Sequence, residues 1–396
     1  MQDCEYEKSL FRAIEILSPK AITLSDDLAV NPELGNREFK SSKRHVELLQ
    51  EAGFEIEYPF DGIETAFRAR KGKGNTKVAL LVEYDALPDI GHACGHNVSG
   101  AMSTLAGLSL ATVIDEFNGE IQVIGTPAEE TAGAKVAMSK DGIFDDLDLA
   151  LMVHSNGGAS FVYYESLAMD ALEFNFTGKA SHAASSPWAG RNALNGVQLL
   201  FHAIDMLRQH VLPEVRMHGV ISGGGEVPNI VPERAVARFY FRATKRSILN
   251  EVVRKAQNCA RGAALATETE VRWENFEPSF DEMIPNSPAE EAMEEIMRKL
   301  GVELSISSGP RGSSDIGNVS HRCPALQPML AITSEPLALH TREFAKATTS
   351  EEAHKAIVTG AKALAVVALR MFIDEDLRKA VRKAFETTKS EATERA

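Results

Sequence analysis

The sequence predicts an α/β protein with a mainly parallel sheet, into which a separate α+β sandwich is inserted. Three observations carry this. Short apolar runs flanked by helix-period segments recur up to Val153. Near Asp170 the pattern changes to strand alternation. After Phe280 the helix–strand style of the first part returns. The expected boundaries are 1–169 and 281–396 for the larger domain and 170–280 for the insertion.

Taken in order, residues 5–30 and 38–53 read as amphipathic helices, parted by the turn Asn31-Pro32-Glu33-Leu34-Gly35. Val78-Ala-Leu-Leu-Val82 is continuously apolar, as a strand buried on both faces is. A small-residue helix over 99–114 follows, then a strand at 121–125, a short helix at 134–141 and a strand at 147–153. The insertion reads as a strand at 172–177, a helix over 193–209, strands at 219–222 and 235–242, a helix over 247–267 and a strand around 270–273. The last part holds a helix at 289–300, a strand-like run at 325–332 and a long helix over 350–372. The polar tail 386–396 is expected to fray.

A chain of 396 residues predicts two or three folding units. Its 44% hydrophobic content is that of an ordinary globular protein. A net charge of −14 and a pI of about 5.4 argue against nucleic acid or an acidic membrane as partner. A small anion held by local cations stays compatible with that charge. No run of about 18 apolar residues is read, so no membrane-spanning helix is expected. Met1–Leu17 is too acidic and too broken for a signal peptide. Cys4, Cys94, Cys259 and Cys323 show no paired spacing, which predicts a reduced, cytoplasmic protein without disulfides. The triplets starting at Asn97, Asn175 and Asn318 then read as chance matches to a glycosylation signal.

Chemistry collects at the ends of the predicted strands, where the loops of a parallel sheet form a crevice. The first strand runs into Glu83-Tyr-Asp85-Ala-Leu-Pro-Asp-Ile-Gly-His92-Ala-Cys94-Gly-His96-Asn97. Cys94 and His96 are two apart, so an extended loop can turn both to one point, and Cys and His are ligands of zinc-type metals. Alone, they also read as a buried small hydrophobe and a His satisfied by a carbonyl. The second strand ends in Gly125-Thr-Pro-Ala-Glu129-Glu130. Two adjacent carboxylates there call for a positive partner, or else begin a helix whose N-terminus welcomes them. His154 ends the third strand, and His340 follows the run at 326–332. Each His alone reads as structural. Four strands delivering metal-type residues at one end point together to a metal centre.

These motifs resemble the aminoacylase, carboxypeptidase G and indole-acetyl-amino-acid hydrolase superfamily of co-catalytic metallopeptidases. Within it they are most similar to the branch of p-aminobenzoyl-glutamate hydrolase and the aminoacylase-1-like dipeptidases. The resemblance spans nearly the whole chain, from Pro32-Glu-Leu-Gly35 to the helix near 370. It implies that Cys94, His96, Glu130, His154 and His340 hold two divalent ions, zinc or manganese. It implies that Glu129 is the general base and that Asp85 orients a ligand. In Gly178-Lys-Ala-Ser-His182, His182 would meet the oxyanion. Asn229 would contact the substrate carboxylate, with Arg242 as a second candidate for that work. Asn31, Asn97 and Thr131-Ala132 depart from residues common in relatives, and the last two flank the pocket.

The expected activity is metal-dependent cleavage of the amide bond of a small N-acyl amino acid or dipeptide, releasing a free amino acid. An N-acetyl amino acid deacetylase of a biosynthetic pathway and a non-catalytic binding protein on the same fold are the alternatives. The resemblance also implies a homodimer through the inserted lid domain, with His182 reaching the partner's site.

Overall fold

The computed structural model describes residues 2–307, 309–310 and 312–394. The chain begins with α1 (Gln2–Val30) and α2 (Phe39–Glu51). Pro19 lies inside α1; it cannot donate to the Glu15 carbonyl, and the Ser18 hydroxyl does so instead at 3.1 Å. Then come β1 (Glu55–Glu57), β2 (Phe67–Gly72), β3 (Thr76–Val82), α3 (His96–Leu110), β4 (Gly119–Gly125), α4 (Ala134–Lys140), β5 (Leu149–Leu151) and β6 (His154–Asn156).

The second unit holds β7 (Ala168–Thr177), α5 (Ala193–Leu207), β8 (Arg216–Gly223), β9 (Arg234–Ala243), α6 (Arg246–Ala266) and β10 (Glu270–Phe280). The chain closes with α7 (Ser287–Lys299), α8 (Ile316–Ser320), β11 (Ala325–Leu326), β12 (Met329–Ala331), α9 (Arg342–Ala347), α10 (Glu351–Ile373) and α11 (Glu375–Glu394).

The described residues form two compact units. The first comprises Met1–Glu165, Met283–Gly309 and Asp315–Ala396. Its six-stranded sheet has the order β1-β2-β4-β3-β5-β11. β3, β4, β5 and β11 run parallel, while β1 and β2 add an antiparallel edge. Every residue of α3 is buried, between the sheet and the helices α1 and α10. α10 is long and apolar enough to cross a membrane by length and composition, a run the sequence reading passed over. Its apolar window is 67% buried inside the protein, because its Ala-rich faces serve the core.

The second unit comprises Ser166–Glu282 and Pro310–Ser314. Its sheet is antiparallel throughout, in the order β10-β7-β9-β8. α5 and α6 pack on this sheet. Phe174, Phe176, Phe239 and Phe241 alternate inward from β7 and β9 and fill the core between.

Several elements differ from expectation. The strand read at 147–153 is only Leu149–Leu151, and His154 opens β6 rather than ending a strand. The run at 325–332 is likewise split, because Pro328 has no N–H to give to a ladder. The two broken strands still track each other: the carbonyls of Pro324, Leu326 and Pro328 accept from the N–H groups of Ala150, Met152 and His154. α8 and α9, of five and six residues, are too short to show a helical period. The tail expected to fray is helical to Glu394, and Arg395 and Ala396 lie outside the described residues.

Candidate metal centre

Gly95 explains how the first loop is formed. It precedes α3 with φ +79°, a left-handed conformation that favours glycine. A Cβ on Gly95 would lie 2.7 Å from the Ser155 Cβ. The missing side chain thus lets the Cys94–His96 turn sit directly on the His154–Ser155 strand. The Ser155 hydroxyl donates to the Gly95 carbonyl at 3.0 Å and fastens the two.

The rings of His96 and His154 are buried and held the same way. Nδ1 of His96 lies 2.9 Å from Asp85 Oδ1 and 3.0 Å from the Asp85 carbonyl. Nδ1 of His154 lies 2.8 Å from the Ser155 carbonyl. These partners only accept, so each Nδ1 carries the proton and each Nε2 presents a lone pair. Nε2 of His96 is buried without a hydrogen-bond partner. Nε2 of His154 lies 3.6 Å from the Cys94 Sγ. Donor atoms of Cys94, His96 and His154 lie within 4.8 Å of one another, as do those of Cys94, Glu130 and His340. Imidazoles anchored at one nitrogen and free at the other, beside a thiol and a carboxylate, fit a divalent metal. Two such groups sharing Cys94 fit two ions.

Glu129 and Glu130 follow β4 on a strained turn. Ala128 has φ +59°, costly for a residue with a side chain, and its N–H donates to the buried Glu38 Oε1 at 2.9 Å. Asp85 reaches this turn too: its Oδ2 accepts from the Glu130 N–H at 3.0 Å. One carboxylate therefore orients both His96 and the Glu130 backbone. His340, also at positive φ, donates its own N–H to the Ala93 carbonyl at 2.8 Å and places Nε2 3.1 Å from Glu130 Oε1.

The electrostatics are those of a crowded acidic pocket. Burial would raise Asp85, but the His96 ring holds it down at about 2. Burial pushes Glu129 well above the usual carboxylate range, and Asp315, Glu83 and Glu130 push it further. Burial likewise raises the Cys94 thiol, a trend that a coordinated cation reverses. The Glu130 hydrogen bond raises His340.

Sequence reading gave no role to three residues found here. Lys135, fully buried in α4, pairs at 2.7 Å with both Glu83 and Asp315. Burial would strip its proton, but Asp315, Glu83 and Glu129 together hold it as an ammonium. The one available signal was a lysine on a short helix that is otherwise small and apolar.

The second unit carries the remaining candidates. Residues 181–183 and 229–231 pair, with the Ala183 N–H on the Asn229 carbonyl and a bridge between His182 and Ile230. His182 and Asn229 are thereby neighbours. The His182 ring is exposed, and its Nδ1 accepts from Ala184 and Ser185 N–H groups at 3.2 and 3.1 Å. Its Nε2 must therefore carry the proton and act as a donor. Arg242 is not near them: it pairs with Met169 at the other end of the sheet from the Thr177–Arg234 pair. About 27 Å of strand separates Arg234 from Arg242.

A parallel-sheet crevice with a buried Cys/His/Glu cluster defines a metal-dependent hydrolase of C–N bonds. The chain belongs to peptidase family M20/M25/M40, whose model matches residues 79–370. It is 37% identical to the Xaa-Arg dipeptidase of Mus musculus, covering 83% of this chain and 79% of that one. It is 26% identical to a p-aminobenzoyl-glutamate hydrolase polypeptide of Escherichia coli K12, covering 92% of each. A dinuclear metal binding peptidase of the M20 family from Bacillus subtilis shares the fold, with a TM-score of 0.69 at 19% identity over 90% of this chain and 99% of that one. The chain is thus an M20 amidohydrolase or dipeptidase, with the α/β and antiparallel-sheet architecture of that family.

Proposed function

We propose that this enzyme cleaves dipeptides or N-acyl amino acids to a free amino acid, and that five residues hold its two ions. Cys94, His96 and His154 would hold one, zinc or manganese, and Cys94, Glu130 and His340 the other. The observation that carries this is the pair of buried imidazoles with Nδ1 anchored and Nε2 facing the shared Cys94. When bound, the ions supply Lewis-acid polarisation of the scissile carbonyl and a lowered pKa for the attacking water. Glu129 takes the proton from that water and delivers it to the leaving nitrogen. Asp85 keeps His96 in the tautomer that leaves Nε2 free. His182, a donor through Nε2, meets the negative charge on the carbonyl oxygen.

The second unit serves in this reading as lid and dimer contact. β8 is an edge strand, and Val220 and Ile221 on it are 62% and 45% exposed, an apolar edge suited to covering by a second copy. Asn229 and Arg242 stand at opposite ends of one sheet, so contact of both with one substrate carboxylate needs two subunits. A reduced, cytoplasmic setting accords with the free thiols of Cys94, Cys259 and Cys323.

Two experiments test this. Xaa-Arg dipeptides, other dipeptides, aromatic N-acyl and N-acetyl amino acids are assayed by mass spectrometry with and without chelator. Cleavage of dipeptides or N-acyl amino acids that stops on chelation is expected. Turnover by protein that elemental analysis finds free of metal refutes the metal role. Refolding mixed His182→Ala and Glu129→Ala chains tests the trans-acting His182. Random pairing makes about half the dimers mixed, each with one intact site of two, so roughly a quarter of wild-type activity should return. No return, in a mixture proven to contain mixed dimers, refutes it.

A further inference from the structure

The Glu83 carboxylate is fully buried, and its two oxygens do different things. Oε1 takes a 2.7 Å hydrogen bond from the Lys135 ammonium. Oε2 has no hydrogen-bond partner. It lies 3.5 Å from His96 Nε2 and 3.9 Å from His154 Nε2. With Nδ1 protonated in both rings, those nitrogens are acceptors, as Oε2 is. Three buried acceptors converging on one point cannot satisfy one another, and leaving each unpaired is costly. A cation at that point satisfies all three.

The spacing fits this. Ligands on a tetrahedral zinc stand roughly 3.3 Å apart for two N or O donors and about 3.6 Å for N with S, from the ordinary bond lengths. The observed separations are 3.5 and 3.9 Å for Glu83 to the two rings and 3.6 Å for Cys94 to His154.

Lys135 aims this carboxylate. Its ammonium is shared at 2.7 Å between Glu83 Oε1 and Asp315 Oδ1, and its backbone N–H donates to Asp315 Oδ2 at 3.2 Å. Asp315 thus holds the lysine at both its backbone and its tip. Oxygens of Glu83, Glu129 and Asp315 also lie within 4.8 Å of one another. The ammonium bonds two of these three acids, so it occupies the place in this cluster where a further cation would bind. It also turns Glu83 Oε2 toward the two histidines.

We propose that Glu83 is a further donor of the metal centre, joining Cys94, His96 and His154 on one ion through Oε2, and that Lys135 is the positioning residue that holds it there. This rests on the reading that those three residues hold an ion. It adds a ligand from the end of β3 that the motif reading left without a role.

The test is metal binding rather than turnover. Metal-free wild type, Glu83→Gln, Lys135→Met and Lys135→Arg are titrated with cobalt(II) in competition with a chromophoric chelator, and circular dichroism confirms folding. Wild type should bind two ions. Glu83→Gln should weaken one of them at least tenfold, leave the other unchanged and alter the cobalt d–d bands. Lys135→Met should weaken the same ion, and Lys135→Arg should recover part of the loss. A merely structural role would lower the melting temperature without singling out one ion. Two ions at wild-type affinity with unchanged cobalt spectra in folded Glu83→Gln overturn the proposal. Should Glu83→Gln not fold, Glu83→Asp gives the same readout: it keeps the charge and withdraws the oxygen, so an unchanged spectrum and affinity again overturn it. Wild type that binds no ion refutes the underlying metal reading instead, so the two failures are distinguishable.

Discussion

Replacing Gly95 by alanine tests whether close approach of two loops builds the centre. The new Cβ would meet the Ser155 Cβ at 2.7 Å, the Ser155 Oγ at 2.9 Å and the Phe344 ring at 3.1 Å. A left-handed φ of +79° costs an L residue about 1–2 kcal/mol. Relieving the overlap moves backbone or side chains that are all buried, at about 1–3 kcal/mol. The sum is about 2–5 kcal/mol. Urea unfolding of metal-free protein measures it, and metal titration of the folded variant shows whether Cys94 and His96 have moved away from His154. Both stability and metal affinity should fall. Ser155→Gly removes the nearest obstacle, so the double variant should recover about 1 kcal/mol or more relative to additivity. The backbone penalty and the Phe344 contact stay. Gly95→Ala within about 0.5 kcal/mol of wild type, with unchanged metal affinity, would refute the packing account.

Glu129→Gln should lose roughly 10²–10⁴ in turnover while keeping both metals, because an amide cannot take a proton from water. Glu130→Gln should lower metal occupancy instead; kinetics with elemental analysis would expose an inverted assignment. Cys94→Ser should weaken binding of both ions or change metal preference, since a hydroxyl replaces the shared thiol, and unchanged titrations would remove Cys94 from the ligands. Glu290, buried in α7 away from these ligands in sequence, is pushed up to about 7 by burial and by Glu165 and Glu291. An acid raised above its ordinary 4.5 favours the protonated fold, so the stability it contributes is full below about 4.5 and is lost as pH rises through 7. Glu290→Gln should therefore gain up to about 3 kcal/mol over wild type near pH 8 and little near pH 4, and denaturant melts showing equal gains at both would refute the assignment.

Much of the centre was legible in the sequence. The runs at 78–82 and 121–125 are continuously apolar because both faces of a parallel strand are covered, and the residues after them must then stand at the crevice. That local rule located Asp85, Cys94, His96, Glu129 and Glu130. It served less well for His154, because Pro328 breaks the neighbouring ladder and the strand restarts at the histidine itself.

Other features have no local signature. Lys135 and Asp315 are 180 positions apart and meet only because α4 and α8 pack together. Nothing near Glu83 in sequence tells that one oxygen binds a lysine while the other faces two histidines. Asn229 and Arg242 look close along the chain, yet an extended β9 carries them to opposite ends of the sheet. Periodicity and turn chemistry act over a few residues, so the sequence determined which residues stand at strand ends. Which of those ends meet, and at what distance, depends on strand order and register, which are settled only when distant segments bury their faces against one another.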